Sequence, residues 1–179
     1  LWTRDKRLLR VPQEDLCQAL SVSPVRKYQD DGGPGIREIA ALLQGSDEPE
    51  QDRRMFFKAQ ALFWLLAATD GHAKNFSLRL SPGGRFRLTP LYDIMSAQPA
   101  VDAGQIRHNR LKLAMSVGDR RRYVIGSIVP RHFIQTADAC GLPRGTMEAI
   151  FAQLADTLPD AIETVMAALE QMNENALGE

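Results

Sequence analysis

Cysteine is scarce in this chain: Cys17 and Cys140 are the two present, far apart and without C-x-x-C or histidine-paired spacing. That excludes a disulfide framework and an ordinary structural zinc site, and predicts buried thiols in a reducing cytoplasm. The three histidines, His72, His108 and His132, are likewise too scattered for a metal motif. Long apolar runs are missing as well, since the longest, Ala61 to Ala68, falls far short of the roughly 20 residues that cross a bilayer. No signal peptide is visible, so no membrane partner is expected and the predicted location is cytoplasmic. There is also no excess charge of either sign: 22 basic residues balance 22 acidic ones, which argues against a protein that coats nucleic acid. Internal repeats and low-complexity segments are absent.

What the chain does have is enough apolar content, 44% over 179 residues, to bury a core as one domain spanning 1–179. Helical periodicity dominates. Pro12 suits the first turn of a helix over Gln13 to Leu20. Ile36, Ile39, Ala40 and Leu43 fall on one face, with Gly45 as a stop, and Gly32-Gly-Pro-Gly35 reads as a turn. From Met55 to Ala68 the chain is apolar nearly all round, with Phe56, Ala59, Phe63 and Leu66 on one face and Leu62 and Leu65 widening it. This predicts a central buried helix ended by Gly71. Two alternating runs, Phe76 to Leu80 and Arg85 to Thr89, flank Ser81-Pro-Gly-Gly84 and predict a β-hairpin over 76–89. Pro130 opens a helix to Cys140. Thr146 is expected to cap the next, and Pro159 to begin another whose Ile162, Val165, Met166 and Leu169 form a core-facing stripe. Residues 173–179 are expected to fray. The fold class is therefore mainly α with a small hairpin.

The chemistry concentrates around Asp70-Gly-His-Ala-Lys-Asn75, followed by Asp93 in Leu88-Thr-Pro-Leu-Tyr-Asp93. Phosphoryl transfer from ATP needs one carboxylate to hold or deprotonate the acceptor hydroxyl. It also needs an amide oxygen a few residues on to bind Mg²⁺, and a second carboxylate to bridge the metals on the phosphates. Asp70, Asn75 and Asp93 suit these roles in that order, and the Asp70-to-Asn75 interval equals that of the kinase catalytic-loop pattern. With His72 the local pattern, D-x-H-x-x-N, looks more like the lipid-kinase type. A helix, a loop, a hairpin and a second loop would fold Asp93 back toward Asp70.

These words also carry a resemblance. Ala67-Ala-Thr-Asp-Gly-His-Ala-Lys-Asn-Phe-Ser77, Arg87-Leu-Thr-Pro-Leu-Tyr-Asp-Ile94 and Leu111-Lys-Leu-Ala-Met115 closely resemble the C-terminal domain of HipA-like serine/threonine kinases, the toxins of bacterial toxin–antitoxin modules. Pro12 to Gln18, Lys27-Tyr28, Asp31-Gly-Gly-Pro-Gly35 and Pro130-Arg-His-Phe133 fit the same family. The similarity covers about the first 140 residues and tapers in the tail. It implies a helical kinase-like C-lobe, a role in persistence, and Mg²⁺ and ATP as cofactors. Asp70 would be the catalytic base, and His72, Ala73, Lys74 and Asn75 would contact ATP. Asn75 and Asp93 would hold Mg²⁺, and Tyr92 would lie beside the nucleotide. Plainer roles stay open for three of these: Lys74 as a solvated charge, His72 as a loop brace, Tyr92 as an ordinary half-buried aromatic.

No phosphate-covering Gly-rich strand-loop-strand and no strand lysine precede Asp70, and the chain begins at Leu1 without Met. A C-terminal fragment lacking the nucleotide-binding N-terminal lobe is expected, with little activity in isolation. By the resemblance its partner would be a helix-turn-helix antitoxin repressor, with DNA reached only through it, and its substrate a protein serine, with an aminoacyl-tRNA synthetase as a candidate. The alternative function is a non-catalytic module that docks the repressor in transcriptional autoregulation; a small-molecule kinase is a third option. Charge is uneven locally: Arg107, Arg110, Lys112, Arg120, Arg121, Arg122 and Arg131 are opposed between 107 and 131 by Asp119 alone. Such a segment suits nucleic-acid phosphate, or is simply a solvated loop.

Overall fold

A computed structural model describes residues 10–177, with side chains described as far as Met172. Near the start of that range, Pro12 does not open a helix. Its carbonyl accepts from the Leu80 amide at 2.9 Å, and Gln13–Asp15 forms strand β1. The helix of this region, α1, is only Leu16–Ala19. The Asp15 side chain sets that boundary by a reciprocal cap: the Gln18 amide donates to Asp15 Oδ1 and the Asp15 amide to Gln18 Oε1, both at 2.9 Å. The expected hairpin is present as β2 (Ser77–Ser81) and β3 (Arg85–Leu88), paired Leu78 to Leu88 and Leu80 to Phe86. Its turn uses Gly83 and Gly84 at φ +81° and +74°, conformations that cost glycine little. β1 adds to the free edge of β2, giving an antiparallel sheet in the order β1-β2-β3.

Helix α2 spans Ile36–Leu42 and buries Ile36, Ile39 and Ala40, with Leu43 buried in the turn beyond. The central helix α3 runs Pro49–Leu65, starting on Pro49 and burying Phe56, Phe57, Ala59, Ala61 and Phe63. Two expectations fail here. Leu65 and Leu66 face outward, so the helix is not covered all round, and it ends at Leu65, with the chain turning at Ala67 (φ +50°) rather than at Gly71. Phe76, following the loop, packs edge-on to Phe56 at 5.0 Å and against Phe63 at 5.8 Å. The sheet is fastened to α3 by Asp52, a buried carboxylate that accepts from Arg87, Ser46 Oγ and the Leu88 amide.

After a short helix α4 (Gln98–Asp102), a second hairpin forms from β4 (Lys112–Val117) and β5 (Arg122–Val124). Leu113 to Val117 are buried on both faces and show no polar alternation, so period alone carries no strand signal there. Helix α5 (Pro130–Ala139) places Phe133 against Trp64 of α3 and Phe151 of helix α6 (Thr146–Leu177), at 5.5 and 5.7 Å. Helix α6 runs unbroken from Thr146 to Leu177 with Pro159 inside it, so Pro159 does not begin a new helix. Thr146 does not cap it either; its hydroxyl donates to the Pro143 carbonyl. Ile162, Val165, Met166 and Leu169, expected in the core, are each about half exposed, because α6 continues past Leu154, the last buried side chain among its described residues. Of the segment expected to fray, the backbone to Leu177 is helical, and the side chains of 173–179 lie outside the described residues. Among the described residues no helix is long and apolar enough to cross a membrane.

Candidate active site

The loop from α3 to β2 carries the motif and is braced from within. The His72 amide donates to the Asp70 carbonyl at 2.8 Å and the Asn75 amide to the His72 carbonyl at 3.0 Å. The Asn75 side-chain amide donates to the same Asp70 carbonyl at 2.8 Å. With its nitrogen tied down in this way, Asn75 presents its Oδ1 as the free end. Gly71 lies against the Phe63 ring so closely that a Cβ there would come within 2.3 Å of Phe63 Cδ2. The position therefore requires glycine for contact with the core rather than for a helix stop.

Around this loop opens a cleft of about 480 Å³, lined among others by Asp15, Lys27, Asp70, His72, Asn75 and Asp93. Ala73, between His72 and Lys74, is fully buried and does not line the cleft. The loop after β3 leaves the sheet once the Thr89 amide has bonded the Ser77 carbonyl at 2.9 Å, then turns to put Asp93 on the cleft wall. Asp93 holds φ +54°, a conformation that non-glycine residues adopt rarely and that clusters at functional sites. Asp70 and Asp93, separate in sequence, thus meet Asn75 at one opening.

The supporting residues divide. Lys74 is neither free nor simply solvated: its Nζ pairs with Asp15 Oδ2 at 2.6 Å. Burial would raise the Asp15 carboxyl, but hydrogen bonds from Lys74 and the Gln18 amide outweigh it and hold the group below its ordinary value. Tyr92 donates to the Lys74 carbonyl at 3.1 Å and so accepts from Ser77 Oγ at 2.6 Å, tying the two loops together beside the cleft. His72 is 2% exposed, and neither ring nitrogen has a hydrogen-bond partner. Its Nε2 stands 3.4 Å from Asp70 Oδ1, outside hydrogen-bonding geometry. Burial pushes its pKa down against the pull of Asp70, which leaves a neutral ring.

Two residues beside the catalytic loop have contacts that a reading of the sequence alone does not show. Tyr28 donates its hydroxyl to Asp70 Oδ1 and stacks edge-on to His72, with ring centroids 4.9 Å apart. No local pattern announces a contact between residues so far apart in sequence. Asp15 had a readable signal, a carboxylate three residues before Gln18 in the manner of a capping box, but the Pro12 reading obscured it.

The donor set suits a hard cation. The Asp93 carboxylate and the Asn75 amide oxygen are oxygen ligands of the kind Mg²⁺ takes, and Mg²⁺ ordinarily completes its shell with phosphate oxygens and water. Among the described residues no three His, Cys, Asp or Glu side chains gather into a self-sufficient metal cage. The unsatisfied nitrogens of His72, buried at the same opening, also fit a site completed by a ligand.

The chain is similar to known proteins. A family model described as the HipA-like C-terminal domain matches residues 3–162. The serine/threonine-protein kinase toxin HipA of Shewanella oneidensis is 31% identical over 96% of this chain and 40% of its own length. Y4mE of Sinorhizobium fredii, which bears a provisional kinase name, is 35% identical over 62% of this chain and 25% of its own. A solved Shewanella oneidensis complex of HipA, HipB and operator DNA matches with a TM-score of 0.78 and 25% identity, over 90% of this chain and 38% of the solved one. The chain thus spans well under half the length of these relatives.

Proposed function

This chain belongs to the family of HipA-like C-terminal domains, and from that premise we propose that it is the catalytic, magnesium-binding lobe of a serine/threonine-protein kinase toxin. The observation that carries the reading is the convergence of Asp70, Asn75 and Asp93 on one cleft. Mg·ATP, when bound, supplies the phosphoryl group and the positive charge that steadies it. Asp70 accepts the proton of the acceptor serine hydroxyl as that oxygen bonds to the γ-phosphorus and ADP departs. Asn75, through Oδ1, and Asp93 hold Mg²⁺. The buried face of His72 lines the nucleotide side. Lys74, held by Asp15, and Tyr92, held by Ser77, keep the two loops in register. We assign transfer to the complete protein, because the chain covers only 40% of the length of the kinase toxin it resembles.

An antitoxin repressor is the proposed partner, with DNA reached through it. The HipA–HipB–operator assembly of the structural neighbour supports this. The docking-only reading gains no observation of its own, and it leaves the meeting of two carboxylates and an amide oxygen without a purpose. Isothermal titration of ATP into the complete protein, with and without Mg²⁺, tests the reading. Magnesium-dependent binding that Asp93→Ala weakens tenfold or more is expected. Affinity indifferent to both magnesium and Asp93 would refute the metal assignment.

A further inference from the structure

We propose that Tyr28 is the positioning residue for the general base: it holds one oxygen of the Asp70 carboxylate and leaves the other open to the acceptor hydroxyl. This rests on the kinase reading above. Asp70 sits on a loop with its side chain 53% exposed, so nothing in its immediate packing fixes its rotamer. An unrestrained carboxylate would sample several orientations, and few of them point at an incoming hydroxyl.

Tyr28 removes that freedom. Its hydroxyl donates to Asp70 Oδ1, and the charge on the acceptor strengthens the bond. Among the described residues no group donates to Oδ2, so one oxygen is anchored while its neighbour stays available. The phenol suits this task because the adjacent carboxylate, through that hydrogen bond, keeps it protonated, its pKa pushed up to about 12.

The anchor is itself held. The Tyr28 carbonyl accepts from the Asp31 amide at 3.1 Å and the Gly33 amide at 2.9 Å. Gly33 admits that close turn because a Cβ there would lie 2.1 Å from the Arg26 carbonyl oxygen. The ring packs edge-on against buried His72, so the hydroxyl is aimed by a rigid support. Tyr28 therefore acts through Asp70.

Tyr28→Phe isolates the effect, since it keeps the ring against His72 and deletes only the donor. The assay follows transfer from γ-labelled Mg·ATP by the complete protein, with dephosphorylated casein and the protein's own serines as acceptors. The expected result is a kcat about 10- to 100-fold lower, with KM for ATP and acceptor and the melting temperature unchanged. An unchanged kcat overturns the proposal. So does a higher kcat or a lower acceptor KM, which would mean that the phenol occupies the acceptor's place. A loss of rate matched by a loss of thermal stability would assign Tyr28 to folding and overturn it too. Wild-type protein that labels no acceptor would instead remove the kinase reading and this role with it, a result separable from the others.

Discussion

Gly71→Ala is the sharpest probe of how the core holds the catalytic loop. The new Cβ would stand 2.3 Å from Cδ2 and 2.4 Å from Cε2 of Phe63, whereas ordinary contact begins near 3.4 Å. About 1 Å of movement is therefore required. Phe63 cannot supply it, being 3% exposed and backed by the Phe76 ring at 5.8 Å. The loop must yield, and Asp70 moves with its neighbour. Overpacking of this kind costs about 2 kcal/mol, equivalent to a Tm about 6 °C lower for a domain of this size. A displacement of about 1 Å at the base lowers turnover by about 100-fold. Calorimetry and single-turnover transfer measure the two effects. Trimming the obstacle with Phe63→Leu in the same chain should recover most of the turnover. If Gly71→Ala keeps both Tm and rate, or if Phe63→Leu restores nothing, the steric account is wrong.

Other residues give independent tests. Asp52→Ala leaves the Arg87 guanidinium, Ser46 Oγ and the Leu88 amide without their shared acceptor, and should cost about 3 kcal/mol of stability in urea unfolding; a midpoint equal to wild type would show that the clamp contributes nothing. Lys74→Met should lower the Tm at neutral pH by deleting the partner of Asp15. The Asp15 carboxyl is held below its ordinary value of 3.8 in the fold, so this stabilisation is present above that value and fades as the pH falls through the acid range beneath it. A Tm difference that persists undiminished in strong acid would contradict the assignment.

What was legible in the sequence, and what was not, follows a physical line. The hairpin over 76–89 and the apolar face of Ile36, Ile39 and Ala40 could be read because local period and turn residues determine them. β1 could not, since Gln13–Asp15 becomes a strand only by pairing with the distant edge of β2. Nor could β4, whose double burial erases alternation. The stripe on α6 shows the converse error: period identifies a face, and Ile162 and Val165 have the period without the cover. Pro159 was over-read, because a long helix tolerates one missing amide donor. In the cleft, spacing singled out Asp70, Asn75 and Asp93, which line one opening because their separation is local in sequence or fixed by the hairpin's length. Tyr28 carried only a family resemblance, since its place beside Asp70 exists only in the folded chain.

The measurement that bears most directly on the central claim is transfer of labelled γ-phosphate from Mg·ATP by the complete protein, run beside its Asp70→Asn variant. The replacement is isosteric and lies on an exposed loop, so both proteins should melt alike. Label on serine or threonine that requires Asp70 is the predicted result. Equal labelling by the two proteins would contradict the role of Asp70, and no labelling by either, with both folded, would contradict the kinase itself.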